Sequence, residues 1–171
     1  MTIRLEHPDD RAAALEVERL AFGSDVEPAL IEAVRDEEGS FALVVVDRGV
    51  VVGHVQLARA WVGEIPVVSL GPIGVHPNRQ GEGFGRLLVE GALAEGRARR
   101  EIAVILLGSP ALYPRFGFEP GAVHGLRNPF TGVQEDGFVV AEEDFMVAVL
   151  DDRARSLAGE VRWHPAFGQT E

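Results

Sequence analysis

The 171-residue chain has no cysteine and no lysine, a single tyrosine and two methionines. Without cysteine it forms no disulfide, offers no thiol nucleophile and builds no zinc–thiolate site. Without lysine it makes no Schiff base, and it cannot complete a P-loop, whose signature ends in Gly-Lys-Ser/Thr. Long apolar runs are missing too. The longest, such as "IAVILL", are strand-sized, so no membrane span and no membrane partner is expected. The start "MTIRLEHPDD" has neither the basic nor the apolar region of a signal peptide, and a cytoplasmic protein is the expectation. Positive charge is scarce: sixteen arginines stand against 27 acids, for a formal net charge of −11. Nucleic-acid affinity comes largely from basic residues on phosphates, so that class of partner is disfavoured.

What is present suits one α/β domain over residues 1–171, with 151–171 as a C-terminal tail; 46% of residues are hydrophobic and 25% charged. "TIRLE" reads as a strand and "HPDDRAAALEVERLAFG" as a helix, with Asp9 or Asp10 near its cap and Gly23 as its stop. "EPALIEAVRDEEG" reads as a second helix ended by Gly39. "FALVVVDRGVVVGHVQLARAWV" is a hairpin turning at Asp47-Arg48-Gly49, and "IPVVSLGPIGVHP" a strand interrupted by Gly71-Pro72. A helix follows through "RLLVEGALAEGRARR". "IAVILLG", apolar without alternation, is a buried strand. Ser109-Pro110 has the residues of a helix start, leading into a short helix "PALYPRFG". A loop-rich segment then runs from Pro120 to Gly137, and "EDFMVAVL" is the last strand. Mixed strands and helices in this order predict a three-layer α/β domain.

The stretch "VHPNRQGEGFGR", Val75 to Arg86, places Gly81, Gly83 and Gly85 between Arg79 and Arg86, just ahead of a helix. A strand, a glycine turn and a helix start make an anion site. The first N–H groups of a helix lack intrahelical partners, its dipole favours negative charge, and absent side chains let a phosphate approach. A tight turn whose glycines only supply positive φ is the alternative reading. The dinucleotide fingerprint G-x-G-x-x-G does not fit, because these glycines run G-x-G-x-G.

Gln80-x-x-Gly83-x-Gly85 does resemble the Q/R-x-x-G-x-G/A loop of the GNAT superfamily of N-acetyltransferases. Downstream, "LYPRFGF" resembles that family's second landmark, a tyrosine four residues before Gly-Phe. The central match spans about Val67 to Phe118. "LLGSPALYPRFGFEP" with the tail "VRWHPAFG" is similar to a branch of small bacterial acetyltransferases, mostly of undefined substrate. The resemblance implies a single-domain GNAT fold, a mixed and mainly antiparallel sheet flanked by helices. It implies acetyl-coenzyme A as co-substrate, its pyrophosphate held by Arg79, Gln80, Gly81, Glu82, Gly83, Phe84, Gly85 and Arg86. The backbone of Ile73, Gly74 and Val75 would hold the pantetheine arm. Many relatives carry an asparagine in the stretch "ILLGSPALY"; here Ser109 occupies that neighbourhood instead.

Transfer to an amine requires a polarised thioester carbonyl, a neutral amine and a proton for the departing thiolate. By the resemblance, the Val75 N–H donates to the carbonyl oxygen and Tyr113 is the general acid; a buried aromatic is the plainer reading of a lone tyrosine. For the base, Glu64 before the central strand and His54 in the preceding one are candidates, and a water relay is a third choice. His76 reads as structural, and His164 belongs to the tail. His124, Arg127 and Asn128, in "GAVHGLRNPFTGVQEDG", are candidates for an acceptor pocket, against a plain surface loop. No His/Asp/Glu spacing resembles a ligand set, so no metal is expected. The function implied is acetyl transfer to an amine of a small molecule or peptide in a ternary complex. A non-catalytic acyl-coenzyme A sensor is the alternative. A homodimer is the default assembly.

Overall fold

The computed structural model describes residues 1–134, 137 and 139–168. The chain divides into two compact units, each gathered from separated stretches: 1–58, 70–95 and the residues from 164 on form the first, and 59–69 with 96–163 the second.

The first unit holds β1 (Thr2–Leu5), α1 (Arg11–Phe22), α2 (Val26–Val34) and β2 (Phe41–Asp47). It also takes most of β3 (Val50–Val62), the end of β4 (Ile65–Val75), most of α3 (Phe84–Ala98) and the short α4 (Pro165–Gly168). β1, β2 and β3 are antiparallel neighbours, with Leu5 opposite Leu43 and Val44 opposite His54. The β2–β3 turn falls where the sequence places it: Arg48 and Gly49 both have positive φ, 51° and 77°. Adjacent strand residues point to opposite faces, and here each face has its own helix. A Cβ at Gly53 would meet Leu88 of α3, while His54 meets Glu18 of α1. Burying Leu88, fully enclosed, stabilises the packing by about 1.5–3 kcal/mol.

α1 stops at Gly23, φ 64°, whose N–H donates to the Arg19 carbonyl. Asp10 precedes α1, but its carboxylate makes no cap. It accepts instead from Arg4 at 2.6 Å and from the His7 N–H at 2.7 Å. α2 ends at Val34, well before Gly39. The run Asp36-Glu37-Glu38 would set three negative charges at the negative end of a longer helix. β4 continues through Gly71–Pro72, a cis peptide bond, where an interruption was expected.

The second unit holds β5 (Ala103–Leu107), β6 (Glu119–Pro120), β7 (Leu126–Arg127), β8 (Gly132–Val133), β9 (Val139–Val140), β10 (Phe145–Val149) and β11 (Gly159–Arg162). β5 lies parallel to the first half of β4, with Val68 opposite Val104, and antiparallel to β10, with Ile105 opposite Val147. Ala103 to Leu106 are all buried, as a strand covered on both faces requires. β11, inside the expected tail, pairs with the end of β3 through Val161 and Val62. Val62, Val67, Ile105, Phe145, Val147, Leu157 and Val161 form the core of this unit, with Trp163 edge-on to Phe145 at 5.9 Å. The segment "PALYPRFG" is not an α-helix. A turn over 110–112 leads into a single 3₁₀ stretch, Tyr113–Phe116, because Pro114 has no N–H to continue an α-helical ladder.

Candidate active site

β4 delivers the chain to the glycine loop in the first unit. The His76 N–H donates to the Val52 carbonyl at 2.8 Å, and the His76 ring accepts from the Asn78 N–H at 3.1 Å. His76 is thus a structural clamp at the loop's start. A 3₁₀ turn spans Pro77–Arg79, and Gln80 is extended, its amide donating to the Val75 carbonyl at 3.2 Å. Gly81 and Gly83 have φ of 84° and 87°, a region that only glycine enters without strain. The Gly83 carbonyl accepts the first α-helical bond, from Leu87 at 3.2 Å. The first-turn N–H groups of α3 have no intrahelical acceptor by helix geometry.

A Cβ built at Gly81 or Gly83 would touch nothing within 4 Å, and both residues are exposed. These glycines therefore serve backbone conformation and open approach, not packing. That is the arrangement a phosphate needs to reach backbone N–H groups at a helix N-terminus.

The two arginines behave differently from the charge supply the sequence suggests. Arg79 is held by Glu82 at 2.7 Å and by Asp47 at 2.7 Å, and its guanidinium lies 5.1 Å from the Phe84 ring centroid. These carboxylates push the Arg79 pKa up, and Arg79 in turn pulls that of Glu82 down. Arg79 ties the loop to the β2–β3 turn. Arg86 pairs with Glu90 at 2.8 Å on the exposed side of α3. With both cations partnered by acids, the backbone and helix dipole carry most of the attraction for an anion.

Ile73, Gly74 and Val75 close β4, with Gly74 buried and its neighbours half-buried. A Cβ at Gly74 would meet Glu18 Oε2 at 2.5 Å.

In the second unit, Tyr113 is 9% exposed, its ring 5.7 Å from Phe118 and 6.4 Å from Phe116. Gly108 makes room for it: a Cβ there would lie 2.4 Å from the Tyr113 ring. Burial pushes the phenol pKa up, so the hydroxyl keeps its proton at neutral pH and is a donor. Ser109 is exposed. Its hydroxyl accepts from the Ala111 N–H at 3.2 Å and its carbonyl from the Leu112 and Tyr113 N–H groups, which makes a local turn in place of a helix cap.

Glu64 sits exposed in the two-residue turn between β3 and β4. His124 pairs with Glu119 at 3.3 Å, and the His164 ring accepts from the Ala166 N–H. Asn128 accepts from the Trp163 indole at 2.9 Å and from the Phe130 N–H at 3.3 Å, a structural role. With Arg127, Thr131 and Glu142 it lines a small cavity of about 180 Å³. Of the segment 121–137 expected to shape an acceptor pocket, residues 135 and 136 lie outside the described residues.

His54 is buried completely, and its partner is a residue the sequence reading passed over: Glu18 Oε1 stands 2.7 Å from His54 Nδ1. A glutamate in an amphipathic helix reads as surface. The available signal was its place four residues after Ala14 and next to Val17, on the stripe that α1 buries.

The sequence profile described as "Acetyltransferase (GNAT) family" matches residues 10–118. The uncharacterized N-acetyltransferase YhbS of Escherichia coli K12 is 35% identical over 174 residues, covering 99% of each chain. The crystal structure of E. coli YhbS in complex with CoA matches the fold with a TM-score of 0.87 at 33% identity, over 99% of this chain and 93% of that one. A GNAT family acetyltransferase from Brucella melitensis, solved with acetyl-CoA, matches with a TM-score of 0.76 at 28% identity, over 97% of each chain.

Proposed function

The chain belongs to the GNAT family of acetyltransferases, and from that premise we propose that it moves an acetyl group from acetyl-coenzyme A to an amine of a small molecule or peptide, by direct attack in a ternary complex. The observation that carries the reading is the loop at the N-terminus of α3. Its glycines are open, with positive φ and nothing to meet a side chain, and relatives across nearly the whole chain were solved with CoA or acetyl-CoA. Residues 79–86 are assigned to the pyrophosphate and the backbone of Ile73, Gly74 and Val75 to the pantetheine arm. The Val75 N–H is assigned to the thioester carbonyl, as a fixed dipole toward developing charge. Ser109 is a lesser candidate at the co-substrate.

Tyr113 is assigned the proton for the departing thiolate. A thiol near pKa 8.5 leaves readily once protonated, and a buried phenol above its usual value of about 10 supplies that proton and resets. No cysteine exists to carry an acyl-enzyme thioester, so the amine attacks directly.

Differential scanning fluorimetry tests the assignment. Acetyl-coenzyme A at 100 times its Kd should stabilise the protein by about 2.7 kcal/mol and raise Tm by about 5–10 °C. NAD should leave Tm unchanged. A rise with NAD and none with acetyl-coenzyme A overturns the reading.

A further inference from the structure

A buried acid–imidazole pair lies against β4 in the first unit. Glu18 of α1 and His54 of β3 are each 0% exposed, with Glu18 Oε1 2.7 Å from His54 Nδ1. The second atom of each, Glu18 Oε2 and His54 Nε2, is buried without a hydrogen-bond partner among the described residues. Glu18 Oε2 rests on Gly74, where any Cβ would lie 2.5 Å from it and 3.0 Å from Ala21 Cβ. Glycine at 74 is therefore what admits the carboxyl to the β4 backbone, one residue before Val75. Unpartnered polar atoms in a packed interior are costly and call for an explanation beyond stability.

The groups facing the pair come from every element around it. Glu6, ahead of α1, stands 3.6 Å from His54 Nε2 and 3.4 Å from Arg35. Arg35, at the end of α2, also holds Glu32 at 3.1 Å. Gln56 of β3 is spent on the Phe41 and Leu57 carbonyls. Glu27, in the first turn of α2, is half-buried with a buried Oε2 that has no hydrogen-bond partner among the described residues, and its charge acts on Glu18. Burial, with Glu27 adding to it, pushes Glu18 up to about 8, and burial pushes His54 down to about 4. The pair thus holds one proton at neutral pH and gives it up just above.

We propose that the Glu18–His54 pair is the proton acceptor for the incoming amine, with the half-buried Glu27 passing the proton inward; this rests on the acetyltransferase reading above. The ammonium loses one proton through Glu27 to the Glu18 carboxylate, leaving a neutral amine and a carboxylic acid bonded to His54. The amine's C–N bond then forms as the C–S bond breaks. The thiolate takes the Tyr113 proton, and the second proton shed by nitrogen restores the phenol. One net proton remains on the pair and leaves to solvent. Glu18 and His54 act through Glu27, so they are positioning residues for that proton.

The test follows coenzyme A release between pH 6 and 9.5, with glycinamide (amine pKa about 8), with n-butylamine (about 10.4) and with water alone as acceptor. In the native chain kcat should climb about tenfold per pH unit below a midpoint near 8, whichever acceptor is used. Glu18→Gln should remove that limb and lower kcat at pH 8.5 by about 10²-fold. Glu27→Gln breaks the relay and should lower kcat at pH 8.5 by about 10²-fold with acetyl-coenzyme A affinity retained, which a purely structural role for Glu18 would not do. A limb that follows the amine's own pKa, or that survives in Glu18→Gln, overturns the proposal. If Glu18→Gln does not fold, undiminished kcat in Glu27→Gln overturns it alone. Calorimetry separates the two readings: a chain that fails to bind acetyl-coenzyme A takes both down, whereas binding with a pH-independent kcat sinks only the relay.

Discussion

Glu18→Gln should change how stability depends on pH, and the size of the change follows from the buried pair. In the unfolded chain Glu18 and His54 titrate near 4.5 and 6.5, and in the folded chain near 8 and 4. Glu18, raised on folding, contributes stability that is complete below pH 4.5 and is lost as pH rises toward 8. His54, lowered on folding, contributes stability that is complete above 6.5 and is lost as pH falls toward 4. Between pH 4.5 and 6.5 both states of the pair hold one proton, so no slope arises. Above 6.5 the unfolded pair has lost that proton while the folded pair keeps it until about 8. About 1.5 pH units at about 1.36 kcal/mol each gives a loss of about 2 kcal/mol between pH 6.5 and 8.5. For a chain of this length that lowers Tm by about 4–8 °C. Glutamine keeps the shape and offers an N–H to His54 Nδ1 but does not titrate, so Glu18→Gln should be flat over the same window. Carboxylates held low by arginine, such as Asp10, Asp36 and Asp47, stay ionised across this window and do not enter. Urea melts of both proteins at half-unit steps decide the matter. Equal slopes above pH 6.5 would mean that Glu18 does not carry the pair's proton in the folded chain.

Tyr113→Phe should lower kcat by about 10²-fold while calorimetry finds the acetyl-coenzyme A Kd nearly unchanged; unaltered turnover in a chemistry-limited assay rules out the acid role. Gly108→Ala would drive a methyl to within 2.4 Å of the Tyr113 ring, so kcat should fall about tenfold or more with affinity retained. Native turnover there would mean that the ring position is unimportant. Gly83→Val forces a β-branched residue to φ near 87°, a strain of about 1–3 kcal/mol in the loop. Acetyl-coenzyme A affinity should drop more than tenfold by calorimetry, and a native Kd would contradict the assigned cradle.

Features that depend on a few neighbours in sequence were legible from it. Arg48 and Gly49 turn β2 into β3, Gly23 caps α1, and the unbroken apolar run of β5 is buried from Ala103 to Leu106. The loop motif was equally local, since Gly81 and Gly83 declare their positive φ by being glycine. Features set by distant partners were not. Glu18 gains its character from His54, thirty-six residues away, and from the missing side chain of Gly74. Nothing in α1 alone distinguishes a buried acid from a solvated one except its place on the apolar stripe. Arg79 looked like free charge for an anion, and only the fold brings Asp47 to it, whereas the Arg86 partner, Glu90, lies one helical turn on. Ser109-Pro110 had the residues of a helix start, yet Pro114 leaves room for a single turn.

An amine is the proposed recipient of the acetyl group. The most direct measurement incubates the chain with acetyl-coenzyme A carrying a ¹³C-labelled acetyl group and a library of primary amines, and reads the amines by mass spectrometry. Labelled N-acetyl product should form from at least one amine, dependent on the chain and reduced by Tyr113→Phe. Acetyl-coenzyme A bound at the loop with no label on any amine would contradict it and make the chain an acyl-coenzyme A sensor instead.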